Sequence, residues 1–172
     1  MENYKITLTK IDTFIFDVDG VLTDGMVMLY GGEVIRSMNS KDSYAIQYAA
    51  KLGYKIFIIT GGNSQEVKMR LEGLGITEVI LNAANKVNSF LELHGKYNLN
   101  PETCCYMGDD IPDYELLKRV GLPVAPQDAV PEVKQIAHYV SPYSGGKGCV
   151  RDIIEQTLKV QGKWMLPEAL EW

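Results

Sequence analysis

Ile11-Asp12-Thr13-Phe14-Ile15-Phe16-Asp17-Val18-Asp19-Gly20 is the stretch on which the fold turns. A run of strand length, rich in aromatic and β-branched residues, breaks off in two carboxylates and a glycine. Apolar runs of similar length recur at 55–59, 79–81, 103–107, 122–125 and near Tyr139. Between them lie amphipathic segments of helical period at 44–52, from Asn63 to about Gly75, at 83–97, at 112–120, after Pro131 and at 147–160. Asn39 to Ser43 offers caps to the first of these, and Asn63 with Glu66 three residues on forms a capping box for the second. Such alternation predicts an α/β protein, a Rossmann-like parallel sheet flanked by helices. One element interrupts it. The runs 26–30 and 33–38 flank Gly31-Gly32, a two-residue turn that predicts a β-hairpin after the first strand.

A length of 172 residues with 46% hydrophobic content suits one domain over 1–172, with a hairpin at about 26–38 and a tail at about 162–172. No run approaches the roughly 18 apolar residues of a membrane helix. The start MENYKITLTK mixes charge with polarity where a secretory signal carries an apolar stretch. The expectation is a cytoplasmic protein without a membrane partner. Three cysteines, two of them the adjacent Cys104 and Cys105, show no CxxC spacing, which argues against a disulfide framework and a zinc site. A net charge of −5 without clustered Lys and Arg argues against nucleic acid as a partner.

In an open α/β sheet, ligands bind beyond the carboxyl ends of the strands, so residues just after each strand carry the chemistry. Asp17 and Asp19 follow the first strand, Thr60-Gly61 the second, and Lys86 opens the helix after the third. Gly108-Asp109-Asp110-Ile111-Pro112-Asp113 follows the fourth. Singly, each has a bland reading as a turn, a surface lysine or acidic charge at a helix start. A calcium loop counted from Asp17 fails, because Val21 and Met28 stand where oxygen ligands are needed. The coincidence of all four at one sheet edge points further. Carboxylates gathered at one place call for a cation, and hard oxygen ligands of this kind suit Mg²⁺. An anionic nucleophile meeting an anionic phosphate needs a metal, a lysine and hydroxyl or amide donors, and each is present.

Asp17-x-Asp19-Gly20-Val21-x-Thr23-Asp24-Gly25, Thr60-Gly61, Lys86 and Gly108-Asp109-Asp110-x-x-Asp113 strongly resemble, in order and spacing, the haloacid dehalogenase superfamily. The resemblance covers nearly the whole chain. It implies a phosphatase in which Asp17 attacks phosphorus to form an aspartyl phosphate and Asp19 serves as acid, then base. It implies Mg²⁺ on Asp17, the Asp19 carbonyl and Asp109, with Asp110 and Asp113 supporting from outside. Thr60, the Gly61 amide and Lys86 would bind the phosphoryl oxygens.

Superfamily members commonly insert a cap domain after the first or second motif, but here one hairpin and one helix fill the first interval and a helix and a short strand the second. The capless type is therefore expected. Gly25 with its hairpin, Asn39-x-Lys41-Asp42, Arg70-x-x-x-Leu74-Gly75-Ile76 and Gly145-Gly146-Lys147-Gly148-x-x-Arg151 resemble the branch acting on 3-deoxy-D-manno-octulosonate 8-phosphate. That resemblance implies a sugar-acid phosphate substrate, a role in making a lipopolysaccharide precursor, and a homotetramer with hairpins at its centre. Lys41, Asp42, Arg70, Lys147 and Arg151 are the substrate-binding candidates. Gly62 and Ser43 depart from that branch, which often has Arg and Gly there. Phosphatases of sialic-type nonulosonate 9-phosphates are one alternative, and an inactive oligomeric binding module is another. His94 and His138 lack metal-ligand spacing, and 145–148 is not a Walker loop.

Overall fold

The structure, a computed structural model, describes residues 3–171. Met1, Glu2, Trp172 at the end of the expected tail and the Glu33 side chain lie outside the described residues. Six parallel strands form the sheet: β1 (Thr13–Phe16), β4 (Lys55–Ile59), β5 (Glu78–Ile80), β6 (Cys104–Met107), β7 (Leu122–Ala125) and β8 (Tyr139–Val140). A separate antiparallel hairpin, β2 (Met28–Tyr30) and β3 (Glu33–Ile35), follows β1. No cap domain is found among the described residues.

Helices cover both faces of the sheet, so strand residues alternate between two cores. Phe14, Phe16, Ile56 and Ile58 pack with α1 (Tyr4–Leu8), α2 (Ser40–Lys51), α3 (Gln65–Glu72) and α7 (Cys149–Val160). Ile15, Phe57, Ile59 and Tyr106 pack on the opposite face with α4 (Lys86–Tyr97), α5 (Tyr114–Leu117) and α6 (Pro131–Ile136). Each fully buried Phe or Ile contributes about 1.5–3 kcal/mol over exposure, which is why these short strands hold.

Strand order is β5-β4-β1-β6-β7-β8. From β1 the chain builds outward through β4 to β5, then returns to β6 on the other side of β1. The order reverses between β1 and β6, and a crevice opens there beyond the carboxyl ends.

Most element boundaries match the expectation within a few residues, and the exceptions have local causes. Ser64, rather than Asn63, caps α3, its hydroxyl accepting from the Val67 N–H at 3.2 Å. α4 begins at Lys86 rather than near residue 83 because the Asn85 side chain caps it, accepting from Asn88 N–H. In place of one helix over 112–120 stands a tight turn at Ile111–Asp113 followed by the short α5, because Asp113 is turned inward to the site. α1 had no counterpart in the sequence reading. Tyr4 from it stacks on Tyr139 at 4.6 Å and donates to Gln156. The tail folds back on its own chain. Tyr48 donates to the Lys163 carbonyl at 2.7 Å, Tyr44 donates to that of Ala169, and Trp164 meets the Tyr48 ring edge-on.

Candidate active site

β1 carries Asp17 to the crevice and β6 carries Asp109 to its other wall. Asp17 is buried; its Oδ1 accepts from the Val18 N–H at 2.7 Å and its Oδ2 pairs with Lys86 Nζ at 2.9 Å. Lys86 reaches the crevice because it is the first residue of α4, whose start the Asn85 cap fixes. Its ammonium also donates to Asp113 Oδ1 at 2.5 Å. Oxygens of Asp17, Asp109 and Asp113 lie within 4.8 Å of one another.

Gly20 is required here on two counts. It adopts φ +86°, and a Cβ on it would meet Asp109 Oδ2 at 2.0 Å. A side chain at this position would push Asp109 out of the cleft.

The electrostatics are those of an overcrowded carboxylate cluster. Burial pushes Asp17 up to about 6, against the opposing pull of Lys86 and with the Asp113 charge adding to the rise. Burial, then the charges of Asp113 and Asp17, push Asp109 up to about 7. Burial alone would lower the Lys86 pKa, but Asp17 and Asp113 outweigh it and the value is raised. A divalent cation between Asp17 and Asp109 answers this crowding, and the donor set fits Mg²⁺. Asp113 is placed differently. Its Oδ1 accepts from Lys86 and the buried Tyr106 hydroxyl, and its Oδ2 accepts from the Asp109 and Asp110 amides at 2.9 and 3.2 Å. With two donors on each oxygen, where Asp17 has one, Asp113 fits a supporting position, orienting Lys86 and the loop that bears Asp109. Asp110 lies at the mouth and caps the turn at Ile111–Asp113.

Thr60 is buried at the end of β4, and its hydroxyl accepts from Gly62 N–H at 3.1 Å. Thr60, Gly61, Asp17, Asp19, Lys86, Asp109, Asp110 and Asp113 all line one open cleft of about 500 Å³. The four motifs therefore converge.

Other candidates are not brought into this cleft. Arg70 lines a groove between the hairpin and α3. Lys41, Lys147 and Arg151 border a separate depression beside α7, where Arg151 lies over the rings of Tyr44 and Trp164 and pairs with Glu155. Asp42 is buried, and its Oδ1 accepts from Arg151 N–H at 2.7 Å, in the first turn of α7. It joins α2 to α7 rather than lining the cleft. Gly145 and Gly146 stand behind the loop that bears Asp17 and Asp19: a Cβ on Gly145 would meet the Gly20 carbonyl at 2.1 Å, and Gly146 N–H donates to Val21 O at 2.9 Å. They back the loop rather than close over it.

Two contacts at the cleft were missed in the sequence. Tyr106 was read only as a strand residue, although its place in the alternation sends it towards Asp113. Arg36, just past β3, donates from Nε to Asp19 Oδ1 at 2.6 Å and from Nη2 to Oδ2 at 3.0 Å. A cation ending an apolar ribbon, at Ile35-Arg36-Ser37, was the signal available.

The haloacid dehalogenase-like hydrolase family matches residues 71–153. The 3-deoxy-D-manno-octulosonate 8-phosphate phosphatase KdsC of Escherichia coli K12 is 38% identical over 155 residues, 90% of this chain and 82% of that protein. The crystal structure of the phosphatase of the same name from Yersinia pestis matches with a TM-score of 0.91 at 33% identity, over 94% of this chain and 88% of that one. Its Moraxella catarrhalis counterpart, solved with magnesium, phosphate and a KDO molecule, gives 0.91 at 28% identity over 95% of each chain. Similarity of this extent, across a fold whose motifs meet at one sheet edge, places the chain in the haloacid dehalogenase-like hydrolases, in the family of the 3-deoxy-D-manno-octulosonate 8-phosphate phosphatases.

Proposed function

We propose that this protein is a Mg²⁺-dependent phosphatase hydrolysing 3-deoxy-D-manno-octulosonate 8-phosphate through an aspartyl phosphate on Asp17. The carrying observation is Lys86, bridging Asp17 at 2.9 Å and Asp113 at 2.5 Å beside Asp109. A lysine held against a buried carboxylate at a strand end is built to receive a phosphoryl group between them. The E. coli and Moraxella relatives support the substrate and the metal.

Asp17 attacks phosphorus while Asp19 gives its proton to the leaving sugar oxygen, and the P–O bond breaks. Asp19, now ionised, takes a proton from water whose oxygen attacks the same phosphorus. Inorganic phosphate leaves and the Asp17 carboxylate is restored. Acid–base help of this kind contributes about 10²–10⁴-fold. Lys86, the Thr60 hydroxyl and the Gly61 amide hold the phosphoryl oxygens. The Asp17 and Asp109 carboxylates and the Asp19 carbonyl would hold Mg²⁺, which would supply charge neutralisation for two anions brought together. Asp113 and Asp110 fix these groups in place.

The same reading makes the chain one hydrolase domain and a cytoplasmic homotetramer. Among the described residues no helix is long and apolar enough to cross a membrane. The hairpin exposes Met26, Met28, Leu29, Tyr30 and Ile35 together, a surface suited to burial between copies. Lys41, Arg70, Lys147 and Arg151, outside their own chain's cleft, are assigned to a neighbour's site.

The test is steady-state phosphate release with and without Mg²⁺ from octulosonate 8-phosphate, nonulosonate 9-phosphates and hexose phosphates. The expected order places the first substrate ahead in kcat/KM and shows no release after chelation. Equal turnover of hexose phosphates would remove the substrate assignment, and turnover without metal the cofactor.

A further inference from the structure

The hairpin reverses the usual distribution of side chains. Leu29 and Tyr30 are 77% and 75% exposed, whereas the Arg36 side chain, at the foot of the same ribbon, is only 13% exposed. A long cation has been turned inward while the apolar residues face outward. It lands on Asp19. Both carboxylate oxygens receive one guanidinium nitrogen each, at 2.6 and 3.0 Å, the two-pronged geometry that fixes a carboxylate's plane as well as its position.

Among the described residues nothing else holds Asp19 so firmly. Its side chain is 37% exposed, and its own loop offers only the Thr23 hydroxyl at 3.4 Å. Unlike Asp17 and Asp113, which backbone amides grip, Asp19 takes its orientation from a residue 17 positions away. Gly62 completes the arrangement. A Cβ there would stand 3.9 Å from both Arg36 Nη2 and Asp19 Oδ2 and 3.4 Å from Thr60 Oγ1, so a longer side chain would have to grow into the pair. The absence of a side chain at position 62 leaves this corner to the hairpin's arginine.

We propose that Arg36 is the positioning residue for Asp19, which makes the hairpin part of the acid–base apparatus. Arg36 does not touch the reacting atoms. It takes one lone pair on each carboxyl oxygen and so fixes the plane of the group, leaving the second lone pair of one oxygen to carry the proton and to face the leaving oxygen of the phosphate ester bound at Asp17. The inference rests on the assignment of Asp19 as acid and base in the proposed mechanism. Misplacing a proton donor by about 1 Å costs on the order of 100-fold.

The experiment exploits leaving-group chemistry. An alkyl phosphate needs a proton on its departing oxygen, whereas p-nitrophenyl phosphate departs as a stable anion. kcat/KM covers the steps up to transfer onto Asp17, so the ratio of the two substrates isolates proton donation. In the full-length Mg²⁺-loaded enzyme, Arg36→Gln is expected to lower kcat/KM for octulosonate 8-phosphate by about 10²-fold and for p-nitrophenyl phosphate by less than about threefold, on the scale of general acid catalysis. Arg36→Lys keeps the charge without the fork and should fall between; it carries the test if the Gln variant does not fold. Asp19→Asn runs alongside. If Asp19→Asn shows the selective loss and the Arg36 variants slow both substrates equally, or neither, Arg36 is not the positioning residue and the mechanism stands. If Asp19→Asn slows both substrates equally, the acid–base assignment fails and the proposal with it.

Discussion

At the end of β1 a buried carboxylate has both oxygens engaged, by an amide and a lysine. A short distance along the same chain, the hairpin leaves Met28, Leu29 and Tyr30 to solvent. The first region is complete within one chain, because three neighbouring strands and the start of α4 deliver its groups to one point. The second is a two-stranded ribbon, too small to bury its own surface. The contrast separates the part of the chemistry that the fold secures alone from an apolar surface that the proposed assembly would bury. Arg36 belongs to both regions, since its backbone is in the hairpin's foot and its guanidinium is at the cleft.

The sharpest way to break the contrast is at the nucleophile. Asp17→Asn should reduce phosphate release by at least about 10³-fold, since the amide keeps the shape but neither attacks phosphorus nor binds metal well. Circular dichroism should remain unchanged. Substantial residual turnover in pure protein would mean that the cleft is not the reacting centre.

The hairpin can be tested on its own terms. Leu29→Lys with Tyr30→Lys should convert the assembly to smaller species at micromolar concentration, read by light scattering, because two charges would be placed in a buried apolar contact. Thermal unfolding of the isolated chain should move little, as both side chains are exposed within it. An unchanged mass would show that assembly uses another face.

Tyr106→Phe probes how tightly the inner region is closed. Removing the hydroxyl leaves Asp113 one donor short, and a hydrogen bond to a buried charge contributes about 1.5–3 kcal/mol. Urea unfolding should report a loss in that range, with the assembly intact. A loss near zero would mean that Lys86 and the two amides suffice to hold Asp113.

The smallest effect is a pH dependence. Asp17 and Asp109 rise from 3.8 to about 6 and about 7 on folding without metal. For such raised acids the stabilising contribution is complete below 3.8 and is lost as pH climbs through the folded values. Mg²⁺ competes with those protons, so its affinity should grow with pH across 5–7, most steeply below 6 where both carboxylates hold a proton, and level off above 7. Mg²⁺-induced thermal shifts at stepped pH measure this. A flat profile would mean that these two carboxylates do not hold the ion.

The cleft was legible because its residues sit at places that sequence marks. Asp17, Thr60 and Asp109 each stand within a residue or two of a strand end, and Lys86 is the first residue of a capped helix. Their neighbours were not legible, because the contacts join segments that no local pattern relates. Asp42 looked like a polar residue near a substrate, yet its partner is the Arg151 amide, 109 positions away. The tail gave only its bounds, at about 162–172, whereas Trp164 and Ala169 find α2 of their own chain. The hairpin was read correctly from Gly31-Gly32, whose φ values of +59° and +86° suit a tight two-residue turn. Its arginine stood out as a cation at the end of an apolar ribbon but its partner did not, since a strand pattern gives the face of a residue and not the target of a long side chain.

The glycines behind the nucleophile loop bear on how the protein is made. All four motifs are complete once Asp113 has left the ribosome, yet the loop bearing Asp17 and Asp19 still lacks the backing that Gly145 and Gly146 supply. α7, which follows, needs the Asp42 carboxylate made some hundred residues earlier. Contacts between such distant segments form late in folding, after the loop between them has been closed. A chain released at residue 120 would therefore carry every motif without the backing of the loop that bears Asp17 and Asp19. The first residues of the proposed mechanism to be synthesised thus receive their backing only once the segment that begins at Gly145 has been made.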